Sequence, residues 1–176
     1  RIALEFDLKH LPGARDPLSS PHPWYVLAEI FGDDETRTRE LMETLLGDGI
    51  EQSLVIDATL AESFEQRNQL WKLRTAMSDV QKPEGGSIKH DISVPVSSVP
   101  AFIAEASAKV ETVIPGARVV AFGHLGDGNL HYNVSQPLGA DKEQFLAKWT
   151  MLNEAVHSIV AKYEGSISAE HGIGVL

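Results

Sequence analysis

The chain contains no cysteine, and this absence narrows the chemistry that it can carry. Disulfides and thiolate metal sites are excluded, so any metal must be bound by histidine, aspartate or glutamate side chains. The sequence also lacks an apolar run approaching the roughly 20 residues that cross a bilayer, and no charged-then-apolar leader opens it. We therefore expect no transmembrane segment and a cytoplasmic location.

Cationic side chains are scarce relative to anionic ones. The 15 lysines and arginines against 25 aspartates and glutamates give a formal net charge of −10. Such a charge argues against nucleic acid as a partner and against a polybasic membrane anchor. An anionic substrate would need a local cluster of cations. With 43% hydrophobic and 23% charged residues, the composition is ordinary for a soluble globular protein.

The first half of the sequence predicts alternating strands and helices. Apolar stretches at 2–8, 24–32 and 53–58 are typical of strands. A helix is predicted from Asp33 to Gly47, where glycines end it. A second helix, with a capping box formed by Thr59 and Glu62, is predicted to run to about residue 78.

The second half predicts the order β-α-β-β-α-β. That order is typical of the ferredoxin-like arrangement, an antiparallel sheet with two helices on one face. We therefore predict an α+β fold over 1–176, with subdomains at 24–81 and 87–176, the first of them a second, partial copy. The predicted elements are strands at 87–96, 117–123, 130–135 and 166–170 and helices at 98–113 and 141–164.

A glycine-rich loop separates two histidines in "AFGHLGDGNLHYNV" (121–134). If the flanking strands form a hairpin, His124 lies at or near the loop end, and His131 and Asn133 share one strand face. The loop glycines keep this region free of bulk and allow positive φ. The alternative is a glycine-rich turn with two solvated histidines, but the pair together with Asn133 favours a functional site.

A second group of candidates lies in "SAEHGIG" (168–174), where Glu170 and His171 follow the last predicted strand. In this topology the last strand lies beside the first strand, so contact between Glu170 and the two histidines depends on loops. If they meet, His124, His131 and Glu170 give three ligands and an open fourth position, which is the pattern of catalytic zinc. Taken alone, Glu170 and His171 would be a surface pair.

A third group is cationic. Arg74 ends "QLWKLR", and Ser78 lies one turn further on the same helix face. Lys89 follows "KPEGG", whose proline and glycines interrupt regular structure. A guanidinium fork suits a carboxylate and a lysine adds a point charge, so the group could bind an anion. The alternative is that these cations lie on solvated faces.

Four motifs taken together, in chain order, resemble the C-terminal substrate (cap) domain of FAD-linked oxidases. They are "LWKLR", "IKHDISVPVS", "FGHLGDGNLHYNV" and "SISAEHGIG". The family is that of the flavoproteins of the vanillyl-alcohol oxidase class, and the branch that the chain resembles most holds the D-2-hydroxyglutarate and D-lactate dehydrogenases. The resemblance runs from about residue 24 to the end, and the "GHxGDGNLH" and "EHGIG" pair is its specific part.

The resemblance implies two cofactors and a base. His124, His131 and Glu170 are implied as the ligands of Zn²⁺, which would lower the pKa of the substrate alcohol. His171 is implied as the general base that takes the hydroxyl proton. Hydride would pass to FAD, which the family binds mainly through an N-terminal domain that this sequence lacks.

The resemblance also implies a substrate, a small 2-hydroxy acid. Arg74, Ser78 and Lys89 would hold its carboxylate groups and Asn133 would contact it; serine at position 78 departs mildly from members that have threonine. Two cations suit a dicarboxylate such as 2-hydroxyglutarate or malate, with lactate and glycolate as alternatives. The electron acceptor is unknown, and an exposed sheet face could support a homodimer.

The expected function is thus the substrate- and metal-binding domain of an FAD-dependent D-2-hydroxy acid dehydrogenase. Without the N-terminal FAD-binding domain and the extreme C-terminal tail, we expect the fragment to be inactive. Two alternatives stay open: a metal-dependent hydrolase that uses metal-bound water, and a non-catalytic ligand-binding module. The sequence lacks a helical H-E-x-x-H and any obvious serine or cysteine nucleophile motif, which weakens the hydrolase alternative.

Overall fold

The computed structural model describes residues 1–172 and contains six α-helices and four strands within them. Two single-turn 3₁₀ segments lie at Lys82–Glu84 and Val96–Ser98. The helices are α1 (Ile2–His10), α2 (Glu35–Glu51), α3 (Phe64–Ala76), α4 (Val99–Val113), α5 (Lys142–Leu146) and α6 (Trp149–Lys162), and the strands are β1 (Ser87–Ile88), β2 (Asp91–Ser93), β3 (Arg118–His124) and β4 (Asn129–Ser135).

Strand β4 is the centre of an antiparallel sheet. Along one edge it pairs with β3 over the full length of both strands. Along the other edge it pairs with β1 and β2, which together behave as one strand interrupted at residues 89–90. The hairpin of 117–123 and 130–135 predicted from the sequence is therefore confirmed, and its loop separates His124, at the end of β3, from His131 in β4.

The last predicted strand, 166–170, is reduced to a single bridge. Ser166 pairs with Ser93 on the edge of β2 that faces away from β4. Ser166 Oγ donates to the carbonyl oxygen of Ser168 and accepts its N–H, so local side-chain bonds replace a strand ladder. The side-by-side order is nevertheless ferredoxin-like, which confirms the predicted α+β class, while the prediction of a regular final strand was wrong.

Helices α4 and α6 cover one face of the sheet, as predicted, and enclose the main hydrophobic core. Their buried residues recur every three or four positions, which places them on one stripe of each helix. Tyr132 of β4 is fully buried with its ring edge-on to Phe102, at 5.6 Å between centroids. The single helix predicted over 141–164 is broken at residues 147–148 into α5 and α6.

The opposite face of the sheet packs against α1 and the residues that follow α3. Phe6 and Val80 contact Val120 of β3 in a second, smaller core. The strand predicted at 2–8 was wrong, because this stretch is helical. Its buried residues follow the spacing of a helix face rather than strict alternation.

The strands predicted at 24–32 and 53–58 were also wrong, since both stretches lack regular structure. Their apolar side chains are largely exposed, with Phe31 at 82%. A strand needs a neighbour that bonds its N–H and C=O groups, and residues 1–86 contain no strand. The predicted second, partial copy of the sheet is therefore absent from residues 1–86, while the subdomain boundaries stay a prediction.

Helix α3 begins at Phe64, later than the sequence pattern predicts. Its N-cap is Ser63, whose Oγ accepts the N–H of Gln66. The side chain of Gln66 in turn accepts the N–H of Glu62. This reciprocal arrangement takes the place of the predicted capping box of Thr59 with Glu62.

Helix α2 extends beyond its predicted end at Gly47 and continues to Glu51. None of its residues is buried, so the helix lies on the surface. Within the described residues 1–172, no helix combines the length and the apolar character needed to cross a bilayer.

Candidate metal and substrate site

His131 lies on β4, on the sheet face opposite the α4–α6 core. Its neighbours Leu130 and Tyr132 point into that core, so strand alternation turns His131 away from it. The ring packs against Phe122 of β3 at 5.0 Å between centroids, and 17% of the side chain is exposed. Strand β4 thus holds one imidazole firmly while leaving its edge accessible.

Glu170 lies between the two histidines of the glycine-rich loop motif. Its Oε1 is 3.5 Å from Nε2 of His124, and its Oε2 is 3.6 Å from Nε2 of His131. Zinc bonds of about 2.0–2.2 Å place tetrahedral ligand atoms roughly 3.3–3.6 Å apart. Both distances between Glu170 and the histidines lie in or near this range, as shared ligation of one zinc ion requires, and the role of the three side chains as ligands stays a prediction.

Two carboxylates and two imidazoles form a cluster around Glu170. Asp91, His131, Glu170 and His171 each offer an atom within 4.8 Å of the others. His124 stands outside that group and approaches it through Glu170. Imidazole and carboxylate donors suit zinc and other divalent first-row metals, so the chemistry of the donor set agrees with the distances.

The electrostatics of the cluster favour a neutral His131 beside an ionised Asp91. Burial lowers the pKa of His131, and the charge of Arg74 acts in the same direction. The carboxylates of Glu170 and Asp91 oppose this shift without reversing it. Burial favours the protonated form of Asp91, but the N–H groups of His171 and Glu170 outweigh it and lower the pKa of Asp91. Neutral imidazole and ionised carboxylate are the forms that bind a metal.

Arg74, at the end of α3, borders the loop between His124 and His131, called the histidine loop below. Its Nη2 donates to the carbonyl oxygen of Gly123 at 3.3 Å and lies 3.4 Å from Nε2 of His124. The guanidinium also stacks over the ring of Phe122, 5.3 Å from its centroid. The predicted substrate cation thus stands next to a predicted metal ligand.

Ser78 and Lys89 are placed differently. Ser78 lies in the turn after α3, Lys89 lies in the break between β1 and β2, and both are exposed. No hydrogen bond within the described residues joins either side chain to Arg74 or His124. Their roles in holding substrate carboxylates stay predictions.

Asn133 is buried rather than open to a ligand, with 4% of its surface exposed. Its Nδ2 donates to Oε1 of Gln81 at 3.1 Å, and Gln81 donates to the carbonyl oxygen of Met77 at 2.6 Å. In this arrangement Asn133 anchors the chain that follows α3 to the sheet. Its predicted contact with substrate would require this amide pair to open.

Comparison with protein-family models gives a match over the whole chain. The model of the C-terminal domain of FAD linked oxidases matches residues 1–176. The chain belongs to this family. The resemblance carried by the four motifs is therefore confirmed, and it extends to the start of the chain rather than beginning near residue 24.

Several curated relatives contain this FAD-linked oxidase domain. A D-2-hydroxyglutarate dehydrogenase from Stutzerimonas stutzeri is 40% identical over 90% of the chain and 34% of the relative. The mitochondrial D-2-hydroxyglutarate dehydrogenase of Arabidopsis thaliana is 35% identical over 99% of the chain and 30% of the relative. That of Rattus norvegicus is 32% identical, over 97% and 31%. The chain spans about a third of the length of these relatives.

Asp91 is the residue of this FAD-linked oxidase domain that sequence reasoning missed as part of the site. It pairs with His131 across β2 and β4. The alternation in "SIKHDISV" places it on the face away from the core, and the register of β2 with β4 brings it opposite the histidine. The interruption at residues 89–90 hides that register in the sequence.

Proposed function

We propose that this chain is the substrate- and metal-binding domain of an FAD-dependent D-2-hydroxy acid dehydrogenase, which oxidises a 2-hydroxy acid to the 2-oxo acid. Membership of the FAD-linked oxidase family and the names of its relatives support this function. The observation that carries it is the position of Glu170, within 3.6 Å of Nε2 of both His124 and His131.

The reaction removes two hydrogens from the substrate. When bound, zinc would polarise the substrate hydroxyl as a Lewis acid, and FAD would accept the hydride from Cα. His124, His131 and Glu170 would hold the metal.

His171 takes the hydroxyl proton at an imidazole nitrogen. It follows Glu170 directly, and its ring lies 5.9 Å from that of His131 between centroids. Its backbone N–H donates to Asp91 at 2.8 Å, which fixes the start of the side chain. A base held next to a predicted metal ligand would be within reach of the substrate hydroxyl.

The substrate acid is held by cations. Arg74 stands beside His124 and can pair with a carboxylate in bidentate fashion, and Lys89 and Ser78 would serve a second carboxylate group. In a chain of net charge −10, this local positive charge is needed to attract an anion. A dicarboxylate such as 2-hydroxyglutarate fits best, and malate, lactate and glycolate are the compounds to compare with it.

The partner of this domain is the N-terminal FAD-binding domain of the same protein, and the chain alone would not turn over. The identity of the electron acceptor and the formation of a homodimer stay open. A cytoplasmic location stays a prediction, because one group of relatives is named mitochondrial.

Anaerobic reduction of the flavin in the full-length protein tests the function. The flavin should bleach on addition of a D-2-hydroxy acid, fail to bleach after zinc is removed by a chelator, and recover when zinc is restored. Changing His171→Ala should slow bleaching by about 10²–10⁴-fold, whereas the control His22→Ala, on a histidine that faces Asp57, should not. Zinc binding without flavin reduction by any 2-hydroxy acid would contradict the dehydrogenase and favour the metal-dependent hydrolase.

A further inference from the structure

Asp91 stands directly opposite His131 in the sheet, and its two carboxylate oxygens face different groups. We propose that Asp91 is a positioning residue of the metal site, which holds His131 with its proton on Nδ1 and fixes the backbone of Glu170 and His171. This inference rests on the proposed function, because it assigns Asp91 a task in presenting ligands to a metal.

One oxygen of Asp91 anchors the segment that carries Glu170 and His171. Oδ2 accepts the N–H of Glu170 at 2.8 Å, of His171 at 2.8 Å and of Ala169 at 3.3 Å. The segment 167–172 belongs to no helix or strand, so its N–H groups need such an acceptor. A single carboxylate oxygen therefore accepts the backbone N–H groups that a neighbouring strand would accept in a sheet.

The other oxygen faces the ring of His131. Oδ1 lies 3.5 Å from Nδ1 of His131, and it is buried without a hydrogen-bond partner among the described residues. An ionised carboxylate only accepts hydrogen bonds, so this contact favours a proton on Nδ1. The carboxylate of Glu170, 3.6 Å from Nε2, favours the opposite tautomer in the metal-free protein, and the two preferences would cease to compete once a metal ion lay between Nε2 and Glu170. Metal-binding histidines commonly have a carboxylate at the nitrogen that does not bind the metal.

Asp91 belongs to the group of four residues whose ligand atoms lie within 4.8 Å of one another, so what favours a positioning role over that of a ligand is the nitrogen of His131 that it faces. The two ring nitrogens of His131 point apart, with Asp91 at Nδ1 and Glu170 at Nε2. An ion between Nε2 and Glu170 is on the far side of the ring from Asp91 Oδ1. Since Oδ2 is already occupied by three N–H groups, Asp91 acts through His131 and the turn rather than on the metal itself.

The change Asp91→Asn tests the proposal in the full-length protein. The amide keeps an oxygen for the N–H groups of the turn but presents an N–H₂ group to His131, which must then accept at Nδ1 and carry its proton on Nε2. Zinc affinity should fall by about 10–100-fold. The control Asp48→Asn makes the same charge change on the exposed surface of α2 and should leave zinc affinity unchanged.

Histidine ring ¹⁵N chemical shifts of the metal-free Glu170→Ala protein at pH 8, in which no Glu170 carboxylate faces Nε2 of His131, report the tautomer that Asp91 selects, with His131→Gln identifying the resonances. The proton should be on Nδ1 of His131 when Asp91 is present and on Nε2 when Asp91→Asn is added, a change that a merely structural role would not produce. A proton on Nε2 with Asp91 present, or an Asp91→Asn variant with unchanged tautomer and unchanged zinc affinity, would overturn the proposal. If the Asp91→Asn variant does not fold, the tautomer with Asp91 present decides alone. If the wild type binds no zinc, the proposed function fails, and the tautomer still supports or overturns the positioning of His131.

Discussion

Glu84 and Arg118 form a buried ion pair at the start of β3, where 3% of the glutamate side chain is exposed. Lys9 and His10, from the end of α1, contact the other carboxylate oxygen at 2.6 and 2.5 Å. Burial favours the protonated acid, but the hydrogen bonds from these three side chains and the charge of Arg118 outweigh it and lower the pKa of Glu84 to about 2. The group therefore ties α1 to the edge of the sheet through charge.

Removing that charge should be costly for folding. Glu84→Gln leaves the guanidinium of Arg118 without a carboxylate in a largely buried site, with only its bonds to the carbonyl oxygens of Gln136 and residue 84, and it should lower the free energy of unfolding by about 3–5 kcal/mol. Denaturant unfolding measures the change. The control Glu62→Gln breaks the exposed pair with Arg39 and should leave stability nearly unchanged. Equal losses in the two variants would contradict the buried pair.

His90 makes stability depend on acid pH. Burial lowers its pKa to about 4, and its Nδ1 lies 2.8 Å from the carbonyl oxygen of Tyr132. The unfolded chain binds a proton near pH 6.5 and the folded chain only near pH 4, so stability is lost as the pH falls through this window, by about 3 kcal/mol. Urea unfolding at several pH values should show a flatter profile for His90→Gln than for the wild type. If the two plots of unfolding free energy against pH ran parallel, the acid dependence could not be assigned to His90.

Asp7 should have the opposite dependence. Its carboxylate is fully buried without a hydrogen-bond partner among the described residues, and burial raises its pKa to about 7. The folded state then binds the proton more tightly than the unfolded state, so stability is lost as the pH rises from about 4 to 7. Asp7→Leu should therefore stabilise the protein at pH 8 by about 2–4 kcal/mol and change it little at pH 4. The exposed control Asp48→Leu should show no such difference between the two pH values.

Gly128 is required by the shape of the histidine loop. Its φ is +72°, and a Cβ at this position would lie 2.0 Å from the carbonyl oxygen of Val94. Gly128→Ala should lower the unfolding free energy by about 2 kcal/mol or more and weaken zinc binding by moving His131. Gly126 lies in the same loop, and a Cβ there would meet nothing within 4 Å, so Gly126→Ala is the matched control and should have little effect. Thermal unfolding and zinc titration of both variants give the comparison, and equal effects would contradict the requirement for glycine at 128.

The part of the fold that could be predicted from the sequence is the part that local patterns determine. The stripes of α4 and α6 and the alternation of β3 and β4 recur at fixed spacing and match the buried residues. The stretches 24–32 and 53–58 have the same apolar character, but strand formation depends on a partner that sequence alone does not supply. An apolar stretch alone therefore did not identify a strand, whereas the spacing of apolar residues on α4 and α6 did identify a helix.

In the candidate site too, features set by local sequence could be predicted, and those that depend on distant residues could not. The spacing of His124 and His131 around a glycine-rich turn pointed to a site because a hairpin brings its two ends together. The approach of Glu170 depends on Asp91, whose carboxylate fixes a segment 79 residues further along the chain. The burial of Asn133 depends on Gln81, which is 52 residues away. Such side-chain contacts between distant segments leave no periodic signal in the sequence.

Zinc content, measured by mass spectrometry on the full-length protein purified without chelator, tests the central claim most directly. The wild type and the surface control Glu154→Gln should contain one zinc per chain, and His124→Ala and Glu170→Gln should each lose it. That result would join the histidine loop and the Glu170 segment in one metal site. A wild type without metal, or full zinc content in both site variants, would contradict it.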